Sequence, residues 1–281
     1  YGAINLKDLI VARGYTDLDS LISHSYPYVR DHESITDCIE QLKDYAEDSI
    51  PVLDDDNKLL GVITAQDIVE VVDDEMGDDY AKLAGMTEEA DLEEGLPESI
   101  KKRLPWLVVL LGLSLCVSTV TGLFENVISH LAIIVSFQSL ILGMSGNVGT
   151  QSLAVTIRVL MDEDLSGRQK WGLIFKEARI GFCNGLMLGL LAFAFIGTYV
   201  YVLKGRPLQY AFSVSACAGV ALMLAMTISS VVGTVVPMFF HKVKVDPAVA
   251  SGPLISTVND FVAVVTYYGL AWVLLIHVLH L

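Results

Sequence analysis

Five stretches of this 281-residue chain are too long and too apolar to be anything but helices that cross a bilayer. A span needs about 20 predominantly apolar residues, because a helix rises about 1.5 Å per residue through a core roughly 30 Å thick. Residues 104–124, 126–157, 180–203 and 207–240 contain no Asp, Glu, Lys or Arg, and the fifth stretch, from about 253 to 281, contains only Asp260. A buried helix of a soluble bundle can imitate one such stretch, but not five in succession. The 53% hydrophobic content and the mean hydropathy of +0.54 agree with a membrane chain.

Basic residues then orient the spans. Lys101, Lys102 and Arg103 precede the first, Arg158, Arg168, Lys170, Lys176 and Arg179 lie between the second and third, and Lys242 and Lys244 lie between the fourth and fifth. All ten fall on one side, against Lys204 and Arg206 on the other. The positive-inside rule predicts a cytoplasmic N-terminal part and a C-terminus outside, in the plasma (inner) membrane.

The charge is just as unevenly divided. Residues 1–100 hold 26 acidic and 6 basic residues, a formal balance of −20, whereas residues 101–281 hold 7 acidic and 12 basic, a balance of +5. A −20 domain repels phosphates, so nucleic acid is excluded as a partner; an affinity for cations is the natural consequence. Cys38, Cys116, Cys183 and Cys217 form no CxxC or Cys/His pattern and read as small buried hydrophobes. No signal peptide is present, and the opening at Tyr1 looks like the end of a domain, as in a chain lacking an N-terminal part.

Ahead of the membrane, residues 26–75 alternate between strand-like and helical patterns. "PYVR" precedes the amphipathic "SITDCIEQLKDY", then an apolar hairpin turning at Asp54–Asn57, then the helical "AQDIVEVV". Thr64 is a plausible N-cap for that last helix, with Asp67 three residues on. The order strand, helix, hairpin, helix resembles a CBS (cystathionine β-synthase) domain, and Ile50-Pro51-Val52 and Gly61-Val62-Ile63-Thr64-Ala65-Gln66-Asp67 carry the resemblance. Residues 1–22 look like the final strand and helix of a first copy. In that family the Thr and Asp of the motif often hold an adenine nucleotide such as ATP, which here implies Thr64 and Asp67. The plain alternative is that the two residues only cap a helix.

A dense acidic run follows, from Asp73 through Glu98. Such runs are commonly a solvated helix face. Like charges at this spacing also repel, and a divalent cation held by oxygen ligands would relieve them. The segment leads straight into the first span, so it is placed to pass a change in the cytoplasmic part to the membrane.

Two membrane segments carry polar chemistry. Within "LGMSGNVGTQSLAVTIRVL", Gly143, Gly146 and Gly149 are expected to interrupt the helix, and Asn147, Thr150, Gln151 and Ser152 add side-chain oxygens. Irregular backbone at membrane depth must be buried in protein or line a wet cavity, where it could coordinate an ion; helix packing through small residues is the alternative. Asp260 is the sharper signal. A carboxylate at mid-helix costs about 2.5–3.5 kcal/mol to insert, and such residues mark ion or substrate paths. No Lys or Arg within the spans can pair with it, which leaves a proton or a bound cation. Ser256, Thr257 and Asn259 beside it are polar as well. Asp246-Pro247 sits at the cytoplasmic entrance to the fifth span.

"GMSGNVGTQSLAVTIRVL" and "PMFFHKVKVDPAVASGPLISTVNDFVAVVTYYGLA" resemble the two signature stretches of the MgtE family of Mg²⁺ channels, and the order of CBS module, acidic connecting helix and five spans matches over nearly the whole chain. The resemblance implies an α-helical membrane domain of five helices per subunit with a small α/β CBS module. It implies a remnant of the first CBS copy at 1–22, a second copy at 23–76, an acidic connecting (plug) helix at 77–103 and the pore domain at 104–281. It further implies a homodimer in the lipid membrane with the pore on its axis. Asp260 would bind hydrated Mg²⁺, with Asn147 and groups near Gly143 and Ser256 at the same site. Asp246 would belong to a gating site for cytosolic Mg²⁺, completed by Glu88, Glu89, Asp91, Glu94 and Glu98, with Asp54 and Asp56 as weaker candidates. The sequence departs from the family in that the N-terminal helical domain and most of the first CBS copy are not in it; if it is the whole expressed chain, weakened gating over an intact pore is expected. Two rival readings stand beside this one: a membrane-anchored adenine-nucleotide sensor, and a transporter of broader divalent range that includes Mn²⁺ and Co²⁺. A membrane enzyme is disfavoured, since no Ser/His/Asp constellation or zinc motif is present.

Overall fold

Apolar side chains leave a spanning segment one economical option, the helix, which pairs every backbone donor and acceptor within itself. A computed structural model describes residues 2–4, 6–33, 49–90, 93–162 and 165–279. The expected amphipathic helix "SITDCIEQLKDY", the gating candidate Asp91, Cys38 and His280 lie outside the described residues. The chain divides into two units, Tyr1–Gly77 and Asp78–Leu281.

In the first unit a short helix, α1 (Leu6–Val11), lies between the two partners of an antiparallel bridge, Ala3 and Ser23. The strand expected at the start of the chain is reduced to that bridge. Three strands follow: β1 (Val29–Arg30), β2 (Ser49–Leu53) and β3 (Leu59–Thr64), in the order β1-β2-β3. β1 and β2 are parallel; β2 and β3 form the antiparallel hairpin read from the sequence. Its turn is held by the Lys58 N–H, which donates to Asp54 Oδ1 at 2.7 Å, and by Asn57 at φ 59°. Arg30 closes over it, donating to the Asp54 carbonyl at 2.8 Å and to Asn57 Oδ1 at 3.0 Å. Val29 and Ile50 are buried beneath the sheet, with Val52 and Ile63 packed against them.

α2 (Ala65–Leu83) starts directly after β3 and runs across the boundary between the units. The acidic stretch does not continue as one helix to residue 103. The chain turns at Gly85, φ +83°, a conformation that penalises any residue with a Cβ. A new helix, α3 (Leu96–Leu123), begins with Pro97 in its first turn, where the missing N–H costs nothing.

Among its described residues the second unit holds five helices long and apolar enough to span a bilayer, and the chain is a multi-pass membrane protein. After α3 come the short α4 (Glu125–His130) and a 3₁₀ turn, then α5 (Val135–Asp162), α6 (Gly167–Val202), α7 (Leu208–Lys242) and α8 (Gly252–Ala271), which widens into a π-helix over Trp272–Val278. The glycine-rich segment is unbroken helix within α5, contrary to the interruption expected from its sequence. Those glycines serve close packing instead. A Cβ at Gly146 would stand 2.8 Å from Ser256 Oγ, and one at Gly149 would collide with the Asn259 amide. α6 meets α7 through Gly181, Gly185 and Gly189, whose absent Cβ atoms admit Ser230, Met223 and the Gly219 backbone. α5, α6, α7 and α8 share the main apolar core, closed at one end by Tyr267, whose hydroxyl donates to the Ile134 carbonyl at 2.8 Å, and by Tyr268, which donates to Gln138 at 2.6 Å. α3 packs on α8 and leaves its remaining apolar surface for lipid.

Candidate functional site

The crossing of α5 and α8 organises the polar groups of the membrane. Ser256 of α8 rests on Gly146 and, one turn on, Asn259 rests on Gly149. Asn147 and Asp260 are the next residues along their helices, so they flank the same crossing. Asp260 is half-buried, and among the described residues no hydrogen bond or ion pair reaches its carboxylate. Asn147 is exposed and belongs to an open stripe along α5 with Gly143, Gln151 and Arg158. A polar stripe of this kind is costly against lipid and suits a wet cavity or a second copy. Of the polar group expected here, Ser152 turns the other way: it is buried, with its hydroxyl 2.9 Å from Glu177.

Asn147, Thr150 and Gln151 also border a cleft of ≈ 450 Å³ between α5, α6 and α7, which includes Asn184 and Met226. Asn184 was not singled out by the sequence reading, although a lone amide in the third apolar stretch is a usable signal. Asn259 was noted there only as a polar neighbour. It is fully buried, and neither atom of its amide has a partner among the described residues. Gly143, by contrast, has open space beside it and contacts nothing that fixes a ligand.

Ahead of the N-terminus of α8, Asp246 is occupied at both oxygens. Oδ1 accepts from the Ala248 N–H at 2.9 Å, capping a 3₁₀ turn at Pro247–Val249, and Oδ2 accepts from Lys82 Nζ at 2.8 Å. The Asp246 carboxylate beside it raises the Lys82 pKa above its ordinary value. Asp79 stands 3.8 Å from the same ammonium. Two apolar contacts hold this end of α2 on the membrane helices. Leu83 packs on Leu153, Ile157, Ala250 and Ile255, and Gly85 lies against Trp106 and Pro253.

The other gating candidates are dispersed. Glu94 is almost fully buried, pairs with Lys102 at 2.8 Å and accepts from the Ser99 hydroxyl. Glu88 and Glu98 line a cleft of ≈ 670 Å³ together with Lys101 and Lys102. Glu89 uses its backbone, its N–H donating to Asp78 at 3.2 Å and its carbonyl accepting from Lys102. Asp54 is built into the hairpin turn, and Asp56 is exposed beside it. Among the described residues no three His, Cys, Asp or Glu side chains gather as a metal cage.

Thr64 and Asp67 form a reciprocal cap on α2. Asp67 Oδ2 accepts from the Thr64 N–H at 2.8 Å and from its hydroxyl at 2.7 Å. These bonds, the backbone one foremost, lower the Asp67 pKa. A nucleotide ribose at these residues would have to displace bonds that already start the helix.

Comparisons with known proteins agree with this architecture. Residues 138–270 match the model of the MgtE family, described as a divalent cation transporter, and residues 18–74 match the CBS domain. A magnesium transporter MgtE of Enterococcus faecalis is 35% identical over 270 residues, 96% of this chain and 57% of that protein. Proteins of the same name from Bacillus subtilis and Thermus thermophilus are 33% and 31% identical, over 96% and 98% of this chain. The chain spans less than two thirds of the length of these relatives, 57–59%. It belongs to the MgtE family, with a CBS domain on the N-terminal side of its membrane helices.

Proposed function

We propose that this chain forms a Mg²⁺-selective pore for magnesium uptake, as a homodimer in the plasma (inner) membrane with its N-terminal part in the cytoplasm. The observation that carries the reading is Asp260, a carboxylate on a spanning helix with no cation of the protein paired to it among the described residues. Mg²⁺ is small and sheds its water reluctantly, so it is recognised with much of its hydration shell in place. One Asp260 from each subunit supplies a charge matched to a divalent ion. Asn147 offers an amide oxygen to the same hydrated ion, and Ser256 and Gly143 lie on the path beside it. The names of the relatives support Mg²⁺ as the cargo.

Gating follows from the lysines. Asp246 and Glu94 are held by Lys82 and Lys102, so a cytosolic divalent ion must compete with an ammonium at each. At high cytosolic Mg²⁺, ions bridge Asp246 to Glu88, Glu89, Asp91 and Glu98 of the linker and hold the pore shut; at low Mg²⁺, carboxylate repulsion opens it.

Ion flux through the purified chain in liposomes tests the proposal. Mg²⁺ should enter, and Asp260→Ala should abolish entry while the protein still elutes as a folded oligomer. Undiminished Mg²⁺ flux in that variant would sink the pore assignment. Equal flux of Mn²⁺ or Co²⁺ would replace Mg²⁺ selectivity with a broader divalent range.

A further inference from the structure

Asn184 has no part in the Asp260 site, yet it stands in a membrane cleft with other amides. α5 and α6 each pack on α7, α5 through Gly149 against Gly233 and α6 through Gly181, Gly185 and Gly189, but they make little contact with each other. Between them lies the cleft of ≈ 450 Å³, bordered by Met226 of α7. Its α5 wall carries Asn147, Thr150 and Gln151, and its α6 wall carries Asn184 and Met187. Asn147 and Asn184 stand near the midpoints of their helices, so the cleft lies at membrane depth.

A carboxamide brings one accepting oxygen and two N–H donors. Among the described residues no hydrogen bond reaches the side chains of Asn147, Gln151 or Asn184, and the Thr150 hydroxyl is spent on the Asn147 carbonyl at 2.9 Å. Three unpaired amides facing lipid tails would be costly, since hydrocarbon offers a partner to none of them. The cleft therefore suits water. Among the described residues no Lys, Arg, Asp or Glu borders it, so an ion there is not held by charge. Its volume admits a cation together with several waters, each of about 30 Å³ in the liquid. Carboxamide oxygens accept from the waters of such an ion, and Mg²⁺ keeps several of its waters when bound. A neutral lining holds the ion weakly enough to let it go, as conduction requires. Asn147 borders the cleft and also flanks the α5–α8 crossing beside Asp260, so an ion released here has a short way to the carboxylate. The thioethers of Met187 and Met226 are soft ligands and do not compete for a hard, hydrated ion.

We infer that Asn184, across the cleft from Asn147 and Gln151, lines a second, uncharged site for a hydrated divalent cation. Resting on the reading of Asp260 as the pore carboxylate, this site is the station from which the ion reaches it, and Asn184 helps to set the affinity of transport.

Met187→Cys, in a chain freed of its own cysteines and held in lipid, tests the site without reference to transport. A charged methanethiosulfonate reagent reacts with a thiol in water and not with one in hydrocarbon. It should modify Met187→Cys and spare Leu190→Cys, an exposed apolar position on the same helix outside the cleft. Millimolar Mg²⁺ should slow the modification several-fold. That protection should persist with Asp260→Ala and be lost with Asn184→Leu. No modification would mean that lipid or a second copy fills the cleft, and modification indifferent to Mg²⁺ would mean a wet cleft without an ion; either overturns the site. Protection unchanged by Asn184→Leu would remove Asn184 from it. In liposome flux, Asn184→Leu should raise the Mg²⁺ concentration for half-maximal entry by about two- to ten-fold, the worth of one hydrogen bond, and Asn184→Gln should keep the parent value. Leucine suits a spanning helix, so the variant should melt at the temperature of the parent. An unchanged half-saturation would refute the part of Asn184 in transport, while Asp260→Ala tests the pore by itself.

Discussion

Lys82 and Asp246 are 164 positions apart in sequence, yet their side chains meet at 2.8 Å. The pairing raises the Lys82 pKa, so its contribution is complete below the unfolded value of 10.5 and is lost only as pH rises through the still higher folded value. From pH 6 to 9 the tie is therefore constant. Lys82→Ala should loosen the linker, seen as faster hydrogen exchange over 78–90, at a cost of at most about 1 kcal/mol because the pair is partly exposed. An unchanged exchange pattern would show that the apolar contacts of Leu83 and Gly85 suffice. Asp67 has the opposite sign. Its lowered pKa means that the cap is complete above 3.8 and weakens as pH falls through the lower folded value. Asp67→Asn should fray the start of α2 at neutral pH, with faster exchange at 65–68; protection equal to the parent would refute the cap. The Thr64–Asp67 cap was legible in the sequence because it spans three residues. The Lys82–Asp246 pair was not, because nothing local announces a partner so far along the chain.

Among the helices, the glycine-rich part of α5 went against its sequence pattern. Each helical glycine costs roughly 0.5–1 kcal/mol relative to alanine, and an unpaired backbone group in lipid costs several kcal/mol. The helix therefore stays intact through Gly143, Gly146 and Gly149, and the missing side chains become contact surface. Gly233 on α7 shows how tight that surface is: an added Cβ would meet the Gly149 backbone, 3.0 Å from its carbonyl carbon and closer still to its oxygen. Gly233→Ala should destabilise the α5–α7 contact by about 1–3 kcal/mol, the usual range for overpacking, because backbone cannot step aside as a side chain end can. A thermal midpoint in lipid equal to the parent would contradict this. At Gly85 the penalty is conformational as well as steric, from φ +83° and from Trp106 2.8 Å away. Gly85→Ala should release the turn between α2 and α3, and limited proteolysis at residues 84–90 would report it.

For the whole molecule, the proposed orientation puts the loop between α6 and α7 outside and the linker inside. Maleimide labelling of single cysteines introduced at Lys204 and at Glu88, in a chain freed of its own cysteines, should modify the first from outside intact cells and the second only after lysis. The reverse pattern would invert the topology and with it the gating proposal. The sequence by itself determined the five spans, the hairpin with its helix, and Asp260 as the unpaired charge, because hydropathy, turn chemistry and the cost of a charge in lipid are local properties. Only the tertiary structure decided that the α5 glycines pack rather than break, that Lys82 and Lys102 already hold Asp246 and Glu94, that Asn184 borders a cleft beside Asn147, and that the Asn259 amide is buried with no partner among the described residues. Those outcomes depend on which faces of distant helices meet, and a periodic apolar pattern leaves the partner of each face open.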